Sequence, residues 1–365
     1  MEYVQERITT LHDFGDAAPD APTDRTAVVV PMTDRDHASL AAERVLGTLE
    51  RVDPGRVVIP LRADAHAVGD IAAWVGGFDL RTDLLWCTAP RVEELLEEHG
   101  LEGTAGKGRD VWLGLGLAAD AEYVVVHDAD ATNYAETHVP RLLAPLAYGY
   151  EFSKGYYARV ENGHLYGRLC RLLYEPLVSA LAADHDHPLF EYLGAFRYAL
   201  AGEFAVTAAV ARELRVQRGW GLEVGTLGDA YAAVGLEGTA QVDLGIHEHD
   251  HRSVGGPEGL GDMSRGVAAA LFRVLEDAGL DPDYGSLPDR YRSCARRLID
   301  QYAADATFND LAYDPIGERK QVDTYAGAIE PPGADRRLPR WRDTSLDPDE
   351  VGAVSAAVLE EATER

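Results

Sequence analysis

The chain has 365 residues, and 62 acidic side chains against 34 lysines and arginines give a formal net charge of −28. No basic stripe exists that could neutralise a phosphate backbone, so the composition excludes nucleic acid as a partner. The length predicts one large domain with additions or two domains, and the acidic surface suggests a high-salt host.

Cysteine usage and hydropathy indicate the compartment. Cys87, Cys170 and Cys294 lie far apart in the sequence, which argues against a disulfide framework or a zinc ribbon. No apolar run approaches the roughly 18 residues that a transmembrane helix needs. We therefore expect a soluble protein of the reducing cytoplasm, without a transmembrane segment.

The first half of the chain alternates predicted strands and helices. After a polar N-terminal extension at 1–25, strands are predicted at 27–31, 56–60, 84–87 and 123–127, and helices at 38–49, 66–75 and 110–119. This β-α-β-α alternation is typical of an α/β protein with a doubly wound sheet.

The second half has a weaker pattern. An aromatic and glycine-rich segment at 148–157 precedes a predicted helix at 165–183 and a strand at 240–246. Beyond residue 280, helices are predicted at 291–304 and 351–363, around a segment rich in proline and charge. The sequence leaves open whether this tail packs on the domain or mediates self-association.

The most informative stretch is the apolar run at 123–127, which is followed by Asp128 and Asp130. Such a run is typical of a buried parallel strand, and ligands bind at the carboxyl ends of such strands. Carboxylates are ligands that Mg²⁺ or Mn²⁺ accepts while it also binds phosphates. The pattern predicts the Asp-x-Asp element of a nucleotide-sugar glycosyltransferase. Similar triplets at 281–283 and 347–349 contain proline and follow no strand, which indicates turns.

A lysine between two glycines precedes the predicted helix at 110–119. In Gly106-Lys107-Gly108 the glycines allow a close backbone approach, and the lysine could meet a phosphate or a nucleobase edge. The alternative is a flexible turn with a solvated lysine. Lysine occurs only three times in the chain, which favours a functional role.

Three histidines alternate after the strand at 240–246. In an extended segment His247, His249 and His251 would point to one face, where an imidazole could complete the metal coordination begun by Asp130. The alternative is a polar loop with solvated histidines.

Two acidic residues lie in apolar, glycine-containing segments. Glu203 and Glu223 could orient a sugar hydroxyl, or each could cap the helix that we expect it to begin. Trp220 could stack on a sugar ring or serve packing alone.

Taken in order, these motifs resemble the glucosyl-3-phosphoglycerate synthases, which are retaining glycosyltransferases of the GT-A fold. The resemblance runs from about Gly106 to Leu280, and the matching segments are 106–108, 128–130, 154–157, 167–170, 200–205, 219–225, 243–249 and 263–265. It implies a Rossmann-like GT-A domain at 26–280, with a nucleotide-sugar-binding half at 26–131 and an acceptor-binding half at 132–280. A helical C-terminal extension follows at 281–365.

The resemblance also implies roles for single residues. The implied donor contacts are Pro31, Met32, Thr33, Lys107, Asp128, Ala129 and Asp130, and the implied acceptor contacts are Gly167, Arg168, Cys170, Trp220, His247 and His251. Asp130 and His249 would bind Mg²⁺ or Mn²⁺, Glu223 would position hydroxyl groups, and Leu200 would offer its carbonyl near the reacting centre. The expected reaction moves glucose from UDP-glucose or GDP-glucose to 3-phosphoglycerate or a related small acid, in an enzyme expected to be a homodimer.

The chain departs from the family pattern mainly in the acceptor pocket. Cys170 replaces a threonine, His247 an arginine and His251 an asparagine, which leaves Arg168, His247 and Arg252 as the cationic contacts. The end of the first strand, at 31–35, also differs from the family pattern. Two alternatives stay open: transfer of mannose or another hexose to a lipid-linked or polysaccharide acceptor, and a nucleotide-sugar-binding regulatory protein without transfer activity.

Overall fold

A computed structural model of the chain describes residues 4–248 and 256–363, with the backbone alone for 256–260. Its strands β1 to β11 are Thr9–Leu11, Thr26–Val29, Met32–Thr33, Arg56–Arg62, Thr82–Trp86, Tyr123–Val126, Phe152–Ala158, Val160–Glu161, His164–Leu165, Phe204–Thr207 and Thr239–Ile246. Its helices α1 to α13 are Leu40–Val52, Val68–Val75, Pro90–Glu98, Lys107–Ala118, His138–Ala147, Glu175–Ala182, Pro188–Leu193, Ala208–Ala211, Leu222–Val234, Gly256–Asp277, Leu287–Phe308, Pro315–Ala326 and Pro348–Thr363.

Nine of the described strands form one mixed sheet in the order β1-β11-β7-β10-β6-β2-β4-β3, with β5 also paired to β4. Within this sheet β10 is antiparallel to β6 and β7, while every other described pairing is parallel. Strands β8 and β9 form a separate hairpin. Because β10 runs in the opposite direction, its first residue lies at the same edge as the carboxyl ends of its neighbours.

The predicted α/β alternation of the first half is confirmed. Strands β2, β4, β5 and β6 and helices α1, α2 and α4 correspond to the predicted elements, with ends that differ by a few residues. Helix α3 was not predicted. Strand β1, inside the segment interpreted as a polar extension, pairs with β11 at the edge of the sheet.

Helix α4 is covered on all sides, which its glycines make possible. Residues 108–118 are all buried, between β2 and β4 on one side and the C-terminal segment on the other. A Cβ at Gly116 would lie 2.3 Å from the indole of Trp341, which stacks on Trp112 with ring centroids 3.9 Å apart. Small residues let both neighbours approach the helix axis.

The C-terminal tail packs on the domain. Helix α11 lies against α6, and α13 lies against β5 and helices α2, α3 and α4. The hydroxyl of Ser355 accepts a hydrogen bond of 2.8 Å from the buried amide of Trp86. Helix α12 occupies part of the segment that was expected to be irregular. Packing on the domain is therefore the arrangement observed, and self-association stays a prediction.

Candidate active site

Two cavities open at the sheet edge where β2, β6, β7 and β11 end and β10 begins. The first has a volume of about 760 Å³ and the second of about 770 Å³. Trp220, whose surface is 50% exposed, lines both of them. Adjoining cavities of this size can hold two substrates in contact with each other.

All the residues predicted to contact the donor line the first cavity: Pro31, Met32, Thr33, Lys107, Asp128, Ala129 and Asp130. They come from the end of β2, the short strand β3, the start of α4 and the loop after β6. We name this space the donor cleft. Arg35 and Arg62 also line it and were not predicted.

An ion pair joins the Gly-Lys-Gly segment at 106–108 to the Asp-x-Asp element at 128–130. The Lys107 ammonium nitrogen lies 2.5 Å from Oδ1 of Asp128. Burial opposes the charge on Lys107, but the carboxylates of Asp128, Glu223 and Asp130 outweigh it and raise its pKa. Lys107 is therefore a fixed positive charge at neutral pH in the wall of this cavity.

The glycines around Lys107 serve packing against protein backbone. A Cβ at Gly108 would lie 1.7 Å from the carbonyl oxygen of Gln217, and a Cβ at Gly106 would lie 2.9 Å from that of Arg218. Lys107 is also the first residue of α4. The segment is thus closely packed and its lysine, which is 40% exposed, is paired, in contrast to a flexible turn.

The metal site predicted from the sequence is described only in part. Asp128 and Asp130 line the donor cleft after β6, and carboxylate oxygens suit Mg²⁺ or Mn²⁺. His249, the second implied ligand, and His251 lie outside the described residues. Among the described side chains, those of 4–248 and 261–363, no cluster of three or more potential metal ligands is found. The carboxylates of Asp128 and Asp130 could therefore supply the ligands on one side of a cation site.

The second cavity, which we name the acceptor cavity, contains most of the predicted acceptor and catalytic residues. Gly167, Arg168, Leu200, Trp220 and Glu223 all line it. Further lining residues that were not predicted include Arg159, Tyr198, Tyr313 and Glu318. Tyr313 and Glu318 come from the C-terminal tail, and no pattern in the sequence connects that tail with this cavity.

Glu223 and Glu203 have different surroundings. Glu223 is in the first turn of α9, but the cap residue is Gly221, with φ +96°, and no side chain caps this helix end. The capping alternative therefore has no support at Glu223. Glu203 precedes β10, so the prediction that it begins a helix is wrong. It is 2% exposed, and Oε1 lies 3.8 Å from Nε2 of His247.

Cys170 and His247 line neither cavity, although both were predicted to contact the acceptor. Both residues are 2% exposed. Burial raises the pKa of the Cys170 thiol, which therefore stays neutral. The His247 ring stacks on Tyr157 with ring centroids 4.2 Å apart, which places it in the packed layer beneath the site. For His247, the alternative of a solvated loop histidine does not hold.

A second lysine lies in this buried layer. Lys154 on β7 is 1% exposed, and its ammonium donates a hydrogen bond to the carbonyl of Ala201. Burial lowers its pKa to about 8, although Glu223 and Glu203 act in the opposite direction. The layer thus contains both signs of charge directly below the two cavities.

Comparison with protein-family models finds no match. The glucosyl-3-phosphoglycerate synthase of Methanococcoides burtonii is 31% identical over 384 aligned positions, which span 96% of this chain and 95% of that enzyme. This chain belongs to the glucosyl-3-phosphoglycerate synthase family. The synthase of Persephonella marina is 38% identical over 293 positions, covering 75% of this chain and 72% of that enzyme.

Solved structures of the synthase from Mycobacterium tuberculosis share the fold. One, in complex with Mn²⁺, UDP and phosphoglyceric acid, has a TM-score of 0.56 and 25% identity, covering 76% of this chain and 88% of that one. Another, with Mg²⁺ and UDP, has a TM-score of 0.57 and 26% identity over the same shares. The predicted GT-A fold and the glycosyltransferase class are confirmed. The Mn²⁺ and Mg²⁺ in these structures are bound by the Mycobacterium tuberculosis enzyme. No described helix has both the length and the apolar composition to cross a bilayer.

Proposed function

We propose that this protein transfers glucose from UDP-glucose to 3-phosphoglycerate with retention of configuration, and that GDP-glucose is the alternative donor. The observation that carries the proposal is the meeting of the donor cleft and the acceptor cavity at Trp220, with Lys107 and Asp128 on one side and Arg168 and Glu223 on the other. The halves at 26–131 and 132–280 would then bind donor and acceptor, and 281–365 would complete the acceptor wall.

Donor binding depends on positive charge at the start of α4. Lys107 and the amino end of this 12-residue helix both face the donor cleft, and a helix amino end favours a bound anion. Asp130, with His249, would hold the divalent cation, which neutralises charge on the departing diphosphate. Asp128 holds Lys107 in place by the ion pair.

Transfer requires the acceptor hydroxyl to approach the sugar from the side on which UDP leaves. The bond between the glucose C1 and the diphosphate oxygen breaks, the acceptor oxygen bonds to C1, and its proton moves to the leaving phosphate oxygen. Glu223 would orient hydroxyl groups and the Leu200 carbonyl would lie near the reacting carbon, since both line the acceptor cavity. No side-chain nucleophile is needed in this scheme.

The proposal also includes the cellular compartment and the oligomeric state of the protein. All three cysteines are free, and Cys87 and Cys170 are buried, which suits a reducing cytoplasm. A homodimer is the further expectation, which a sedimentation measurement would test.

The test measures release of nucleoside diphosphate from UDP-glucose and from GDP-glucose, with Mg²⁺ or Mn²⁺, with and without 3-phosphoglycerate. We expect release to require both the metal and 3-phosphoglycerate. Asp130→Ala should abolish it, while the matched Asp120→Ala, at an exposed position outside both cavities, should leave it unchanged. Metal-independent turnover, or full activity of Asp130→Ala, would contradict the proposal. Donor binding without transfer would favour the regulatory alternative.

A further inference from the structure

Arg159 brings a guanidinium group into the wall of the acceptor cavity. It directly follows β7 and is half-buried, and its Nη1 donates to the Tyr198 hydroxyl at a distance of 3.5 Å. Its Nε is buried and has no hydrogen-bond partner among residues 4–248 and 261–363. Among the side chains of 4–248 and 261–363, no carboxylate lies within 4.0 Å of its guanidinium nitrogens. This cation therefore has unused donors where a small ligand would bind.

The three arginines that are buried among the described residues are each paired with an acid. Arg109 contacts Glu93 at 2.7 Å, Arg171 contacts Glu318 at 2.7 Å, and the Arg141 side chain contacts Asp13 at 2.8 Å. With 62 acidic residues against 34 basic ones, a carboxylate partner is easily found. Arg159 has no such partner among the described side chains and faces a cavity, so it is well placed to bind an anionic ligand.

A second guanidinium faces the same cavity. Arg168 is exposed over 54% of its side chain, and the nearest carboxylate among the described side chains, that of Glu318, is 4.0 Å away. The two arginines are held near each other because the amide of Tyr166 donates to the carbonyl of Arg159 at 2.9 Å, which closes the β8–β9 hairpin between them. Gly167, with φ +77°, packs on the Tyr198 ring in this corner.

We infer that Arg159 binds the phosphate group of the acceptor together with Arg168. The inference rests on the proposed function and assigns to Arg159 the cationic role that His247, buried beneath the site, does not fill. A phosphate dianion can accept forked hydrogen bonds from two guanidinium groups, whereas a carboxylate is matched by one. The burial of Arg159 opposes its charge, but Tyr198 and the Asp130 carboxylate raise its pKa, so the group stays cationic.

Calorimetric titration with 3-phosphoglycerate, and separately with D-glycerate, would test the inference on the full-length chain. We expect Arg159→Gln to weaken 3-phosphoglycerate binding by about 10- to 100-fold and to leave the weak binding of D-glycerate and the affinity for UDP-glucose unchanged. Arg159→Lys keeps the charge but lacks the forked hydrogen-bond donors of a guanidinium group. Its affinity for 3-phosphoglycerate should fall between those of wild type and Arg159→Gln. The matched Arg296→Gln, on the exposed side of α11, should bind like wild type.

The outcomes separate this inference from the proposed function. Wild-type protein that binds no 3-phosphoglycerate overturns the proposed function and the inference together. If the wild type binds 3-phosphoglycerate and Arg159→Gln or Arg159→Lys binds it equally tightly, the inference alone is overturned. If Arg159→Gln lost the same factor in affinity for 3-phosphoglycerate and for D-glycerate, the inference would also be overturned, because the phosphate would not be the group that Arg159 recognises. If Arg159→Gln does not fold, the comparison of Arg159→Lys with wild type decides.

Discussion

The buried Lys154 ammonium allows a quantitative test of the charge balance beneath the site. Burial lowers its pKa to about 8 in the folded chain, against an ordinary value of 10.5. The folded state therefore releases this proton at a lower pH than the unfolded state. Below pH 8 the charged lysine destabilises the fold, and this cost disappears as the pH rises toward 10.5.

The size of the effect follows from the two pKa values. The difference between 10.5 and about 8 corresponds to about 3 kcal/mol of unfolding free energy. Lys154→Met removes the charge from a side chain of similar length. The free energy of unfolding of wild type minus that of Lys154→Met should rise by about 2 to 3 kcal/mol between about pH 7 and about pH 10. Subtraction removes the titration of all other groups that the two proteins share.

Urea unfolding of both proteins at several pH values between these limits, at constant salt, measures this difference. Lys320→Met is the matched control, because Lys320 is exposed and its removal should produce no such pH dependence. A difference between wild type and Lys154→Met that stays constant with pH would refute the reasoning. Lys154 would then be as easily charged in the fold as in the unfolded chain.

Three further perturbations test the site and its packing. Gly108→Ala puts a Cβ within 1.7 Å of a backbone carbonyl oxygen and should lower the free energy of unfolding in urea by about 3 kcal/mol or more. In the control Gly47→Ala the new Cβ has no atom nearer than 3.9 Å, so the free energy of unfolding should stay the same or rise by up to about 1 kcal/mol. Lys107→Met leaves Asp128 without its cation and should weaken UDP binding by about 10- to 100-fold in calorimetry; unchanged affinity would remove Lys107 from the donor site. Trp220→Ala should raise KM for both substrates by about 2- to 10-fold, since the indole lines both cavities, and a change for one substrate alone would contradict a shared wall.

The residues predicted for the donor side line one cavity, and they could be identified because their signals are local in sequence. Strand β6 is a run of valines, as expected for a strand covered on both faces, and Asp128 and Asp130 follow it at once. Lys107 was recognisable because lysine is scarce and two glycines flank it. Each of these features can be recognised in a few consecutive residues, without knowledge of the tertiary contacts made by the rest of the chain.

The acceptor side depends on contacts between distant segments, which the sequence does not display. Glu203 was expected to begin a helix, but the following residues form β10, a strand of four residues that pairs on both sides with β6 and β7. Arg159 carries no local signal, because its importance comes from Tyr198 and the hairpin that it closes. Tertiary pairing outweighs local preference in such short elements.

The parallel pairing of β1 with β11 bears on how the chain folds during synthesis. Thr9 pairs with Ala240, so the first strand leaves the ribosome 231 residues (240 − 9) before its partner exists. At about 5 to 20 residues per second this delay is roughly 10 to 50 seconds. Once β7 (Phe152–Ala158) has emerged, the side that β11 later covers is an open strand edge until β11 follows, and this edge can pair with other chains. The nascent chain is therefore most exposed to aggregation after the donor half has emerged and before residue 246 has.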